Sequence, residues 1–150
     1  MSEERVALIV GGGPGISASC ARLFRREGME VAIAARNPDK SALVRLEEDH
    51  GVRRYQCDAA DADSVSRLFA SVAETQGRPR LVVHNIDGRM TDIFRKAIIE
   101  ADPELVQQVL LNSSFSAFLV GQQAARLMLE NDPDENGVRG TILFTNASAA

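Results

Sequence analysis

The chain has 150 residues, a length that suits one domain with a buried core. Its 45% hydrophobic and 25% charged residues are ordinary for a globular protein, and its net charge of -4 gives no reason to expect nucleic acid or an anionic membrane as a partner. The two cysteines, Cys20 and Cys57, lie outside any CxxC pair, which argues against a disulfide framework or a metal site. The first apolar run, residues 6–10, is too short to span a membrane and lacks the layout of a signal peptide, so we expect a cytoplasmic protein.

Five short runs rich in Val, Ile, Leu or Ala predict β-strands that are mostly apolar on both faces. Strands of this kind are typical of a parallel sheet that helices cover on both sides. The runs are residues 5–10, 30–35, 52–57, 80–84 and 140–145.

Helical patterns separate these runs. The first follows a glycine-rich turn and can end at Gly28. The apolar residues on one face of this helix are Ile16, Cys20, Leu23 and Phe24.

Capping residues predict where the next helices begin. Asn37 predicts the N-cap of a second helix and Pro38 its first residue. Asp61 predicts the cap of a third helix, which Gly77 can end. The longest predicted helix opens at Asp102 and covers residues 103–130, and a loop follows at 131–137. The segment 87–101 is the least regular, with a short helix predicted around 93–99.

The alternating order of strands and helices predicts an α/β fold: a Rossmann-type, doubly wound parallel sheet in a three-layer α-β-α arrangement. Right-handed crossovers place the first strand in the middle of the sheet and a ligand at the carboxyl ends of the strands. We see no repeat or linker, so residues 1–150 are interpreted as one domain.

The turn after the first strand carries the strongest functional signal. Gly11, Gly13 and Gly15 carry no Cβ atoms, so a diphosphate could approach the backbone there. Ile16 and Ser17 then open a helix whose unpaired N–H groups and dipole favour phosphate. This context matches the dinucleotide fingerprint, and no Gly-Lys-Ser/Thr follows that would make it a Walker P-loop. A tight turn without a ligand is the structural alternative.

The end of the second strand is expected to select the cofactor. An acidic residue there would bond the adenosine ribose and favour NAD, whereas an Arg accommodates a 2′-phosphate. Here the strand ends at Ala35 and Arg36 follows. We therefore expect NADP(H), with NAD(H) possible and an ordinary surface Arg as the alternative. The missing acid also argues against an S-adenosylmethionine methyltransferase.

Five segments fall in the order and spacing of one family's motifs: residues 11–17, 57–58, 82–88, 109–112 and 140–148. In these features nearly the whole chain resembles the N-terminal part of a short-chain dehydrogenase/reductase. The resemblance implies hydride transfer between NADP(H) and a small carbonyl or alcohol substrate. It also implies a homo-oligomer, a dimer or tetramer, that pairs partly through the long helix.

The resemblance assigns roles to particular residues. Asp58, which could equally be a turn residue, would contact the adenine, and Asn85 and Ile86 belong to a segment that contacts the cofactor. Asn112 and Ser148 belong to the catalytic set. Ser148 would hydrogen-bond the substrate oxygen, and Asn112 would anchor a water of the proton relay.

The chain also departs from the family's pattern. Ser17 replaces a glycine, and its hydroxyl could donate to phosphate. His84 and Asp87 replace an Asn and a Gly, and we expect His84 to be a structural substitute for the Asn rather than a base.

The family's catalytic Tyr and Lys are not found after Ser148, and the sole tyrosine is Tyr55, in predicted strand three. Asn and Ser cannot act as the acid or base. The expectation is therefore a partial form of a longer enzyme that holds the cofactor without turning it over. The alternative is a non-catalytic NAD(P)-binding or sensing module.

Overall fold

In the computed structural model, which describes residues 5–93 and 95–146, the strands form one parallel sheet. The strands are β1 Val6–Val10, β2 Glu30–Ala35, β3 Arg53–Gln56, β4 Pro79–His84 and β5 Thr141–Phe144. The order across the sheet is β3-β2-β1-β4-β5, so the first strand lies in the middle, as predicted.

Helices cover both faces of this sheet. The helices are α1 Ile16–Arg26, α2 Ser41–His50, α3 Ala62–Thr75, α4 Pro103–Leu110 and α5 Ser116–Met128. Alternate residues of β1 face opposite layers: Val6, Leu8 and Val10 pack in a cluster with residues of α3 and α5. Ala7 and Ile9 pack in a second cluster with residues of α1 and α2. The predicted three-layer arrangement is therefore confirmed.

The edge strand β3 differs from the prediction of a strand that is apolar on both faces. Its residues are Arg53, Arg54, Tyr55 and Gln56, and none is fully buried. A strand at the edge has only one neighbour, so it can carry polar side chains that a central strand cannot.

The predicted start of the second helix is wrong. Asn37 does not cap α2; its Oδ1 accepts from the Asp39 N–H at 3.0 Å and closes a local turn instead. Lys40 takes the N-cap position, and Ser41 is the first helical residue. An Asn side chain can bind the backbone N–H two residues on and so compete with helical hydrogen bonds. Here the resulting turn makes α2 begin later in the chain than predicted.

Helix α1 buries small residues rather than its large apolar ones. Ile16 is 59% exposed and Leu23 is 41% exposed. The buried positions of the helix are Ser17, Ala18 and Ala21. The predicted apolar face is therefore only partly correct, since two of its four residues are exposed. The small buried residues let the helix lie close to the sheet.

Two caps occur as predicted. Oδ1 of Asp61 accepts from the Asp63 N–H at 3.0 Å and caps α3. Oδ1 of Asp102 accepts from the Glu104 N–H at 2.9 Å and caps α4.

The long helix is interrupted. A π-helical turn, Leu111–Phe115, joins α4 to α5, which ends at Met128. In the irregular segment before α4, the structure has a three-residue 3-10 helix at Ile98–Glu100 in place of the short helix predicted around 93–99.

Among the described residues, no helix has both the length and the apolar character needed to cross a membrane. Cys20 and Cys57 are both free thiols, half-buried and buried respectively, as core residues would be. Burial raises the pKa of the Cys57 thiol, which makes it less reactive.

The central position of β1 leads to a stability prediction. Leu8 is fully buried, so Leu8→Ala should lower the free energy of unfolding by about 2–5 kcal/mol. Leu129 is 72% exposed and serves as the matched control. Leu129→Ala should change the free energy by less than about 0.5 kcal/mol. Urea denaturation of both variants measures the difference, and equal losses would contradict the fold.

Candidate cofactor and active site

The four glycines of the turn after β1 divide into two pairs. A Cβ on Gly11 would lie 2.0 Å from the Asn85 carbonyl oxygen, and φ at Gly11 is +104°. A Cβ on Gly12 would lie 2.9 Å from the Leu43 side chain. At Gly13 and Gly15, by contrast, no atom of the described residues lies within 4 Å of such a Cβ. Gly11 is therefore required by its φ and by the nearby backbone, Gly12 is closely packed against a side chain, and the second pair leaves open space for a ligand.

A chain of hydrogen bonds joins this turn to the ends of β4 and β5. Thr145 Oγ1 donates to Asn85 Oδ1 at 2.8 Å, and Asn85 Nδ2 donates to Ser17 Oγ at 2.7 Å. Ser17 Oγ in turn donates to the Gly11 carbonyl at 2.7 Å. Ser17 is buried, and in this structure its hydroxyl gives its proton to the Gly11 carbonyl.

An open cleft of about 350 Å³ lies at the carboxyl ends of β1, β2 and β4. This is where the sequence predicted a ligand. The predicted site residues that line it are Gly11, Arg36, Asp58, Asn85, Ile86 and Asn112. Gly13, Gly15 and Ser17 belong to the adjoining turn and the start of α1.

Two cations line the cleft beside β2. Arg36 directly follows the strand and is exposed, and Lys40 stands at the N-cap of α2. Sequence reasoning missed Lys40, although its place four residues after Arg36 at a helix start was a usable signal.

Arg54 holds the loop between these two cations. Its Nη1 donates to the Pro38 carbonyl at 2.9 Å and to Asp39 Oδ1 at 2.9 Å. Its Nη2 also pairs with Glu47 Oε2 at 2.7 Å. The loop that carries Lys40 is therefore tied to the edge strand β3.

Asp58 belongs to a turn and also lines the first cleft. Its Oδ1 accepts from the Ala60 N–H at 3.0 Å, and its own N–H donates to Ser64 Oγ at 3.0 Å. The two interpretations that the sequence left open are compatible, because one carboxylate oxygen serves the turn while the residue borders the cleft.

Asn112 is half-buried in the π-helical turn, and its side chain faces a neighbour on the same helix. Oδ1 of Asn112 accepts from Gln108 Nε2 at 3.0 Å. Ser148, the second predicted catalytic residue, lies outside the described residues.

A second cleft of about 590 Å³ lies across the segment that follows β4. Both clefts are lined by residues 85–89, so this segment separates them. The exposed Ile16 lines the second cleft together with Asn85 and Ile86, and it is not among the residues that line the first. Within the segment, Asp87 pairs with Arg89 at 2.6 Å, and this hydrogen bond lowers the pKa of the Asp87 carboxyl.

His84 is buried between β4 and α5. Its Nε2 lies 2.9 Å from Ser116 Oγ, and its ring packs near that of Phe144. Burial lowers the pKa of His84, so the neutral imidazole is favoured in the folded protein. The structural role expected from the sequence agrees with this environment. Tyr55 also has structural partners: its hydroxyl hydrogen-bonds with Thr75 and Gln76 at the end of α3.

A parallel sheet with helices on both faces and a glycine-rich turn after β1 defines the Rossmann-like class of α/β proteins. Residues 11–150 match a family model described as Enoyl-(Acyl carrier protein) reductase. The chain belongs to the short-chain dehydrogenase/reductase family of oxidoreductases.

Known relatives agree with this family. The chain is 27% identical to tropinone reductase-like 1 of Erythroxylum coca over 148 residues. This alignment covers 97% of this chain and 51% of that protein. A short-chain type dehydrogenase/reductase structure from Mycobacterium ulcerans has 25% identity and a TM-score of 0.80 over 94% of this chain and 50% of that one. A structure of a single-site variant of actinorhodin polyketide ketoreductase with NADPH has 27% identity and a TM-score of 0.81. The match covers 96% of this chain and 53% of that chain. The chain spans about half the length of these relatives.

The division of the glycines can be tested by stability. Gly11→Ala places a Cβ against a backbone oxygen at a positive φ, so we expect a loss of about 3 kcal/mol or more. Gly13→Ala meets open space and should change the free energy of unfolding by less than about 1 kcal/mol. Thermal and urea denaturation of the two variants provide the comparison, and a similar loss in both would refute the division.

The environment of His84 predicts a pH dependence. The unfolded chain binds a proton at the ordinary pKa of 6.5, whereas burial opposes it in the folded state. Stability should therefore fall as the pH drops below 6.5, and His84→Asn should reduce this fall. Urea midpoints at about pH 7.5 and pH 5.5 measure it. His50→Asn, at the exposed other histidine, should keep the wild-type pH dependence.

Proposed function

We propose that this chain forms the NADP(H)-binding domain of an oxidoreductase that transfers hydride between NADP(H) and a small carbonyl or alcohol. The observation that carries the proposal is the cleft at the carboxyl ends of β1, β2 and β4, which Arg36 and Lys40 line. We place the protein in the cytoplasm as a homo-oligomer, with residues 1–150 as one domain.

The turn after β1 fits a diphosphate. Gly13 and Gly15 leave space where a side chain would otherwise stand. Within the part of the chain that the structure describes, no side chain caps the N-terminus of α1, and the first turn of this helix contains no acidic residue. The N–H groups around Ile16 and Ser17 are thus not opposed by a carboxylate, and an anion would be favoured there.

The preference for NADP(H) rests on charge. Arg36 and Lys40 present two cations to the cleft, and Ala35 stands at the end of β2 where an acid would favour NAD(H). A guanidinium binds a phosphate through two parallel hydrogen bonds. Asp58 and Ile86 also line this cleft and would border the adenosine, and Asn85 would hold its place through its bonds to Ser17 and Thr145.

The nicotinamide would carry the hydride when the cofactor is bound. Asn112 borders the same cleft, where it would hold a water of the proton relay, and Ser148 would donate a hydrogen bond to the substrate oxygen. Neither side chain has a pKa suited to moving the proton, so these two residues orient and bind.

Calorimetric titration with NADPH and NADH tests the proposal. The chain should bind NADPH more tightly than NADH. Arg36→Asp should weaken NADPH binding by about 10- to 100-fold, the loss of a charged hydrogen bond, and should affect NADH much less. Lys40→Ala should act in the same direction.

Arg45→Asp is the matched control, because it makes the same charge change at an exposed position of α2 that does not line the cleft. It should leave the ratio of the two affinities unchanged. If Arg36→Asp also leaves this ratio unchanged, Arg36 is only a surface charge. If the wild-type chain binds neither nucleotide, the proposed cofactor role is wrong.

A further inference from the structure

The π-helical turn shifts the hydrogen bonds of the helix around Asn112. In an α-helix, the Ser116 N–H would donate to the Asn112 carbonyl, four residues back. Here the Ser116 N–H is directed at the carbonyls of Leu111, five residues back, and Ser113, three residues back. The carbonyl of Asn112 therefore loses its usual backbone donor, which costs free energy in a partly buried helix unless another donor replaces it.

The side chain of Ser116 supplies this donor. Its Oγ lies 2.7 Å from the Asn112 carbonyl and 3.0 Å from the Ser113 carbonyl. Carbonyl oxygens only accept, so the single hydroxyl proton of Ser116 is directed at them. The Ser116 hydroxyl thus replaces the Ser116 N–H as the donor to the Asn112 carbonyl. It restores the hydrogen bond that the π-helical turn removes.

His84 completes the arrangement from the sheet. Because the hydroxyl proton is used, Ser116 Oγ is an acceptor toward Nε2 of His84, at 2.9 Å. Ser116 is fully buried and His84 is 3% exposed, so water does not compete for this bond. The last residue of β4 is therefore joined through one hydroxyl to the turn that holds Asn112.

A second contact holds the same turn. A Cβ on Gly88 would lie 2.8 Å from Ser113 Cβ and 2.9 Å from Ser113 N. The turn therefore lies directly against the segment that separates the two clefts.

We propose that His84 and Ser116 are positioning residues, which hold the π-helical turn in register and so place Asn112 at the cleft. This inference rests on the proposed function for what Asn112 does, but the geometry of the turn can be tested without it. His84 acts through a neutral ring whose Nε2 bears the proton, and Ser116 acts through its hydroxyl.

The test uses NMR of the ¹⁵N-labelled chain. In the wild type, the ring of His84 should be the Nε2–H tautomer near neutral pH. Ser116→Ala should disturb the His84 ring signals and speed amide exchange in the turn about tenfold, as the loss of one buried hydrogen bond would. Ser116→Thr keeps the hydroxyl and should restore slow exchange.

A second pair of variants keeps the inference testable if Ser116→Ala fails to fold. His84→Phe keeps a ring beside Phe144 but removes the donor, and should also speed exchange in the turn. His84→Gln keeps an N–H donor at about the position of ring Nε2 and should stay closer to the wild type.

Ser113→Ala is the matched control, since it removes a hydroxyl bond to the Val109 carbonyl in the same turn. It should leave the His84 ring signals unchanged. Wild-type exchange in both Ser116→Ala and His84→Phe would overturn the inference, as would an equal effect of Ser113→Ala on the His84 ring.

Titration of the same labelled samples with NADPH separates this inference from the proposed function. If the nucleotide binds, the Asn112 side-chain amide should shift in the wild type, and the shift should be smaller in Ser116→Ala. If the nucleotide does not bind, the proposed function fails while the exchange data still decide whether His84 and Ser116 hold the turn.

Discussion

The close approach of Gly11 to Asn85 is the constraint on which the site depends. The backbone after β1 passes so near the backbone after β4 that a Cβ at Gly11 would lie 2.0 Å from a carbonyl oxygen. The two strands are neighbours in the sheet, and the Asn85 N–H donates to the Val10 carbonyl at 2.8 Å. This contact brings the start of α1 beside the end of β4, and the first cleft opens along these same strand ends.

Polar side chains then hold the strand ends together. Asn85 uses its amide to bond Ser17 and its oxygen to accept from Thr145, so that one side chain joins α1 to the segment after β5. Such bonds are individually worth about 1 kcal/mol, but a connected and partly buried set keeps the walls of a site in place before a ligand arrives. Ser17 stands where the family's pattern has a glycine, and its hydroxyl belongs to this set of hydrogen bonds.

At the end of β4, His84 is a second residue that differs from the family's pattern and has a structural partner. His84 replaces an Asn of the family's pattern, and its ring reaches across to the helix that carries Asn112. Burial lowers the pKa of this ring, and the neutral form retains one donor for Ser116. The residues that differ from the family's pattern thus have structural partners in this chain.

The sequence by itself determined the order of strands and helices, the place of the glycine-rich turn and the Arg at the end of β2. These are local properties, since apolar runs, caps such as Asp61 and glycines in turns act through neighbouring residues. It did not determine that α2 begins at Ser41, because the turn of Asn37 competes with the helix. Nor did it determine that Lys40 joins Arg36, that Gly12 and Gly88 serve packing, or that a π-helical turn contains Asn112. The Asn37 turn is a local competition between two hydrogen bonds of similar strength, which the residue types alone do not decide. Only the tertiary structure decided the other features, because they depend on contacts between distant segments: the loop of Lys40 with Arg54, Gly12 with Leu43, Gly88 with Ser113 and the π-helical turn with His84.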